Sequence, residues 1–167
     1  MLVLGVDPGT AITGYGLLEE KDKKLSVLAY GCIRTDSKTP MTDRLKKIYK
    51  EILGVMDEFG PHIVAVEELF FNTNSRTAIA VGQARGTILL AVANSNLKLV
   101  EYTPLQVKQA VVGYGRAEKE QVQYMVKTIL KLKETPKPDD VADALAIAVC
   151  CIQSNEWENL VLEGEKM

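Results

Sequence analysis

A mixed α/β sheet with helices on both faces is the fold class that this sequence predicts. Three observations carry the prediction. The N-terminal part holds three strand-like segments in succession, with no helical pattern between them. From Met41 onward, helical and strand-like segments alternate. The late segment "VADALAIAVCCI" is apolar nearly all round, as a helix buried against a sheet would be. The resulting order, β-β-β-α-β-α-β-α-α-α, predicts a five-stranded mixed sheet in which three antiparallel strands come first and parallel strands follow.

Each element has its own signal. Residues 2–7 read as a buried strand, and 13–19 as its hairpin partner. Residues 25–34 supply a third strand, and Pro40 suits the first turn of a helix. From Met41 the apolar positions Met41, Leu45, Ile48, Ile52, Val55 and Phe59 recur every three or four residues until Gly60-Pro61 stops the helix. "HIVAVEEL" (62–69) is a fourth strand that ends on acids. A long helix is expected from about Asn74 to Ala93, with Ala78, Gly82 and Gly86 on one stripe. That stripe suits close packing, either within the chain (the favoured expectation) or across a dimer. "LKLVEY" (97–102) is the fifth strand; helices near 104–112, 117–132 and 139–153 complete the chain. No repeat or linker divides it, so one domain is expected over 1–153, followed by an acidic tail (154–167) expected to be mobile.

Composition narrows the function. At 167 residues and 47% hydrophobic, the chain has enough apolar surface for a real core. No apolar run reaches membrane-span length, and no basic segment precedes the N-terminal apolar stretch as in a signal peptide. Cys32, Cys150 and Cys151 are odd in number, with two adjacent, so no disulfide framework is implied and the cytoplasm is the expected compartment. His62 is the only histidine, which makes a zinc site or a histidine-based catalytic pair a poor expectation. The net charge is −2, yet residues 98–137 hold eight Lys or Arg against four acids, a local +4. By itself such a segment reads as a solvated helix face.

The acids then stand out. Asp7 ends the first strand within "DPGT", which also has the chemistry of a tight turn. Glu67 and Glu68 close the fourth strand, and alternation lets only one of them face Asp7. Asp140 and Asp143 lie three apart, on one face of the last helix, with Asp139 before them as a candidate cap. An acid inside an apolar helix is costly to bury without a partner. Strand-end acids together with this pair make a set of hard oxygen ligands suited to Mg²⁺.

The motifs "GVDPGTAITGYG", "GCIRT", "AVEELFF", "GQARG", "QVKQAVVGYGRAEKEQVQYMV" and "DDVADALAIA" occur in this order from residue 2 to about 152. Together they resemble the RuvC family of Holliday-junction resolvases, in the ribonuclease H-like superfamily. The resemblance implies a ribonuclease H-like fold and an endodeoxyribonuclease that makes paired, symmetric cuts in four-way DNA junctions during recombination and repair. It implies four acids around two Mg²⁺ ions, with Mn²⁺ as a substitute. By motif these are Asp7, Glu67, Asp140 and Asp143, with Asp139 against Asp140 the least determined choice. It implies that Lys108 and Lys119 act beside the scissile phosphate, that Phe70 meets a base, and that Arg116 contacts DNA. It further implies a homodimer and, as partners, the RuvA–RuvB branch-migration proteins. "DPGTAITGYG" also resembles the phosphate-binding hairpin of the actin, sugar-kinase and Hsp70 superfamily, but no second hairpin of that kind appears. A junction-binding module that does not cut is a further alternative.

Overall fold

The computed structural model describes residues 1–68 and 75–164. Strands β1 (Leu2–Asp7), β2 (Ile12–Lys21), β3 (Lys24–Arg34), β4 (Ile63–Glu67) and β5 (Lys98–Tyr102) form one sheet in the order β3-β2-β1-β4-β5. β1, β2 and β3 pair antiparallel, whereas β4 runs parallel to β1, and β5 parallel to β4. This is the expected ribonuclease H-like sheet. Asp22 and Lys23, both at positive φ (52° and 59°), close the β2–β3 hairpin with the twist that such two-residue turns favour.

Helices cover both faces. α1 (Met41–Phe59) and α2 (Ser75–Asn94) lie on one; α3 (Pro104–Val112), α4 (Lys119–Ile129) and α5 (Asp139–Gly164) lie on the other. Strand alternation serves two cores. Leu4, Val6, Val64 and Val66 pack with Ile48, Ile52 and Ile88 under α1 and α2. Val3, Ile63 and Ala65 pack with Leu145, Ile147 and Val149 of α5.

Four details differ from the sequence expectations. Pro40 caps α1 with extended backbone (φ −52°, ψ 143°) instead of entering its first turn. α4 begins only at Lys119, because Glu118 and Gln121 form a reciprocal capping box that fixes its start. α5 runs on to Gly164, past the expected stop at Gln153: no glycine or proline interrupts it, and Asn155 Nδ2 donates to the Cys151 carbonyl 2.8 Å away, a bond that stays within the helix. Finally, the Ala78–Gly82–Gly86 stripe of α2 is half-buried at Ala78 and Gly82 and exposed at Gly86. A side chain at Gly86 would meet nothing within 4 Å, and α2 instead buries Ala84, Ile88, Ala91 and Val92. Ile88 and Val92 give that other stripe the larger apolar side chains, which join the core shared with α1 and the sheet.

Candidate active site

The sheet places two of the acids side by side. β1 and β4 are parallel neighbours with Val6 opposite Val66, so Asp7 and Glu67 end their strands at the same edge. Val6 and Val66 point into the α1/α2 core, so the next residue of each strand points the other way, toward α5. Glycine then brings α5 down onto the sheet. Gly14 is the register partner of Asp7, and a Cβ there would collide with the Asp140 carbonyl. A Cβ at Gly5 would likewise strike the Ala144 carbonyl and Ala148. The start of α5, with Asp140 and Asp143, therefore lies directly over the end of β1.

The result is a cleft of about 210 Å³ lined by Glu67, Lys108, Lys119 and Asp143, with Pro104, Val107, Val122 and Ala146 as its apolar walls. Glu67, not Glu68, lines it; the Glu68 N–H donates to the Tyr102 carbonyl at 2.8 Å. The turn after Asp7 is braced separately. Thr13 Oγ1 donates to the Gly9 carbonyl (2.7 Å), Thr35 Oγ1 donates to the Thr10 carbonyl, and the nearly buried Arg44 donates to Thr35 Oγ1 (2.7 Å). The segment after Asp7 is thus tied down by side chains from β2, α1 and the residue after β3, and serves as a platform for Asp7.

Burial and mutual repulsion shape the charges. Burial pushes the Asp7 carboxyl well above its ordinary range, and the charges of Asp143, Glu67 and Asp140 push it further. Glu67 is raised to about 7, first by burial and then by Asp143. Asp143 is also raised by burial, against the pull of Lys119. Lys119 is the counterweight: its Nζ lies 3.1 Å from Asp143 Oδ2 and 3.6 Å from Asp139 Oδ2. Burial alone would lower its pKa, but the hydrogen bond to Asp143 and the surrounding aspartates outweigh that and raise it. Lys119 therefore keeps its charge.

The remaining candidates fall elsewhere. Asp139, the expected cap, is the first residue of α5 and pairs with Lys119 and, at 3.9 Å, with Lys137. Arg116 is exposed in the loop between α3 and α4. Phe70 lies outside the described residues. His62 stands just before β4, away from Glu67, where its Nδ1 accepts from Leu2 N–H at 2.8 Å. The Cys150 thiol is buried and pushed up to about 11 by that burial, a poor nucleophile. Sequence reasoning missed Arg85, whose Nε donates to the Glu67 carbonyl (3.3 Å) while its Nη2 pairs with Glu101; only the "GQARG" motif hinted at it.

The donors are all carboxylate oxygens, the ligand chemistry of a hard divalent cation. Among the described residues no three such side chains already stand in a ligating cage. The chemistry of the set nevertheless fits. Acids from β1, β4 and α5 repel one another inside a half-buried cleft, and positive charge placed among them relieves that repulsion.

The chain is similar to known proteins over most of its length. The family model described as "Crossover junction endodeoxyribonuclease RuvC" matches residues 3–151. A crossover junction endodeoxyribonuclease RuvC of Desulfitobacterium hafniense (strain DSM 10664 / DCB-2) is 62% identical over 150 residues, which cover 90% of this chain and 91% of the relative. The solved structure of Thermus thermophilus RuvC superposes with a TM-score of 0.83 at 40% identity, covering 90% of this chain and 92% of that one. A second Thermus thermophilus RuvC structure, in complex with Holliday junction substrate, gives 0.82 at 38% identity, with the same coverage. The chain belongs to the crossover junction endodeoxyribonuclease RuvC family.

Proposed function

We propose that this protein is a metal-dependent endodeoxyribonuclease that resolves four-way DNA junctions in recombination and repair. The observation that carries the reading is a cleft lined by Glu67, Asp143 and Lys119 with the buried Asp7 close enough to feel the charge of all three, the acids coming from three separate elements, in a member of this family. Asp7, Glu67, Asp140 and Asp143 would hold two Mg²⁺ ions, or Mn²⁺ in their place. Metal bound there supplies Lewis-acid stabilisation of charge on the scissile phosphate and a water acidified toward neutral pH.

The chain's own groups do the rest. The carboxylates would hold the divalent cations in the cleft. Lys119, held charged by Asp143, and Lys108, which also lines the cleft, offer ammonium groups to the charge that builds on the phosphate oxygens. The apolar walls Val107, Val122 and Ala146 limit water around them. Hydrolysis joins a water oxygen to phosphorus and breaks the bond to the 3′ oxygen, leaving a 5′-phosphate and a 3′-hydroxyl. Arg116 and Phe70 are DNA contacts in this reading, and the basic stretch 98–137 meets backbone phosphates.

A four-way junction has near two-fold symmetry, so two cuts call for two sites related by a dyad. The exposed α2 stripe with Ile79 (64% exposed), Gly86 and Leu90 (55%) suits a second copy. RuvA and RuvB as partners, a cytoplasmic setting, and a single nuclease domain over 1–153 complete the reading on family resemblance; among the described residues no helix is long and apolar enough to cross a membrane.

The test is cleavage of a synthetic four-way junction beside its linear duplex, with and without Mg²⁺, together with sedimentation of the free protein. Symmetric, metal-dependent nicks in the junction alone, made by a dimer, are expected. Junction binding without nicks on a randomised core sequence would favour the non-cutting module, and no junction preference would overturn the reading.

A further inference from the structure

The "GQARG" segment (82–86) lies within α2, and the chemistry above makes no use of it. Its arginine is set between two strands. The Arg85 side chain is 19% exposed; Nη2 pairs with the Glu101 carboxylate on β5, and Nε donates to the Glu67 main-chain oxygen at 3.3 Å. Glu101 is the register partner of Val66, one residue before Glu67. Leu99 packs with the α1/α2 core and Val100 with the other, so alternation turns Glu101 toward α2. The guanidinium thus grips the ends of β4 and β5 from the face opposite the cleft. Among the described residues the β4–β5 ladder closes there too: Glu67 pairs with Tyr102, and the following N–H, of Glu68, donates to the Tyr102 carbonyl.

We propose that Arg85, oriented by Glu101, is a positioning residue for Glu67. By holding the last peptide of β4, it keeps the Glu67 carboxylate aimed into the cleft beside Asp7 and Asp143. The proposal rests on the reading of Glu67 as a metal-holding acid. A planar guanidinium suits the task, because its separate N–H edges serve the carbonyl and the carboxylate at once. A lysine ammonium, as a single point, satisfies Glu101 at the expense of the carbonyl. The rival role is a plain strap between α2 and the sheet, which would affect melting and nothing else.

The full chain carries the test, as wild type, R85A, R85K and E101Q, with E67Q as reference. Two readouts apply: junction cleavage as a function of Mg²⁺ concentration, and the rise in melting temperature that Mg²⁺ gives the free protein. R85A is expected to raise the half-saturating Mg²⁺ by about 10–100-fold, the usual effect of removing an outer partner of a metal ligand. The Mg²⁺-induced melting shift should shrink with it, while metal-free junction binding stays at the wild-type level. R85K and E101Q should fall in between, and they carry the test should R85A not fold. Wild-type half-saturation and melting shift in the folded variants, with both lost in E67Q, would overturn the positioning role and leave a strap. A wild type that neither cuts nor gains stability from Mg²⁺ would overturn the reading of the site, and this proposal with it.

Discussion

The two faces of the sheet share the same strands and serve opposite ends. On the α1/α2 face, Leu4, Val6, Val64 and Val66 meet Ile48, Ile52 and Met56 in an apolar core. On the α5 face the next residue of two of those strands is an acid, Asp7 or Glu67. A step of one residue changes a fully buried valine into a carboxylate that repels its neighbours. Both faces carry an apolar core, but only the α5 face gives up stability at its rim to keep negative charge in a cleft. The site is tolerable because it lies at the rim, where the core behind it is already complete.

The sharpest way to break this division is D7N. If Asp7 holds metal, junction cleavage should fall on the order of 10³-fold or more, the loss of several kcal/mol of charge stabilisation in the transition state. Metal-free junction binding should survive. Melting of the free protein should hold or rise, since an amide removes repulsion with Asp143 and Glu67. A drop in melting temperature with cleavage largely intact would return Asp7 to the role of a turn residue.

The matching change on the other face is I52A. Ile52 is fully buried in the α1/α2 core, and truncation to alanine should cost about 2–5 kcal/mol of folding stability through lost burial and the cavity left behind. Urea unfolding reads that cost. At a temperature where the variant stays folded, cleavage per molecule should match wild type. A cleavage loss as deep as that of D7N would show that the two faces are not separable.

These contrasts bear on how much of the molecule was legible in its sequence. Strand ends were legible because an acid closing an apolar run is anomalous in local terms, so Asp7 and the Glu67–Glu68 pair stood out, as did Asp143 within its apolar helix; the choice of Glu67 over Glu68 came from the motif resemblance. The seat of α5 was not. Gly5 and Gly14 lie inside strand segments with no local signal of their role, and only the three-dimensional crossing shows that each admits a helix carbonyl. Arg85 and Glu101 are distant in sequence, and nothing local marks them as partners. At Gly86 the expected close packing is absent, because small residues permit close packing without driving it. Ala84 and Ile88 offer more apolar surface to the sheet, and Gly86 was left facing outward.

The gentlest probe of the comparison is pH. Glu67 titrates at about 7 in the folded protein, against an ordinary 4.5, with burial the main cause and Asp143 the second. Between those values the folded chain holds a proton that the unfolded chain has released. Stability of the metal-free protein is therefore greatest on the acid side of this window and declines as pH rises through about 7. Asp7 and Asp143, shifted in the same direction, add to the decline. Melting followed from about pH 5 to pH 8 should show it, and E67Q should flatten it by removing one of the titrating groups. Mg²⁺ should oppose it most on the alkaline side, where the acids are ionised and the cation has most repulsion to relieve. A metal-free profile with the same slope in wild type and E67Q would mean that the Glu67 carboxylate is solvated and uncoupled. The division between a stabilising face and a strained one would then rest on Asp7 and Asp143 alone.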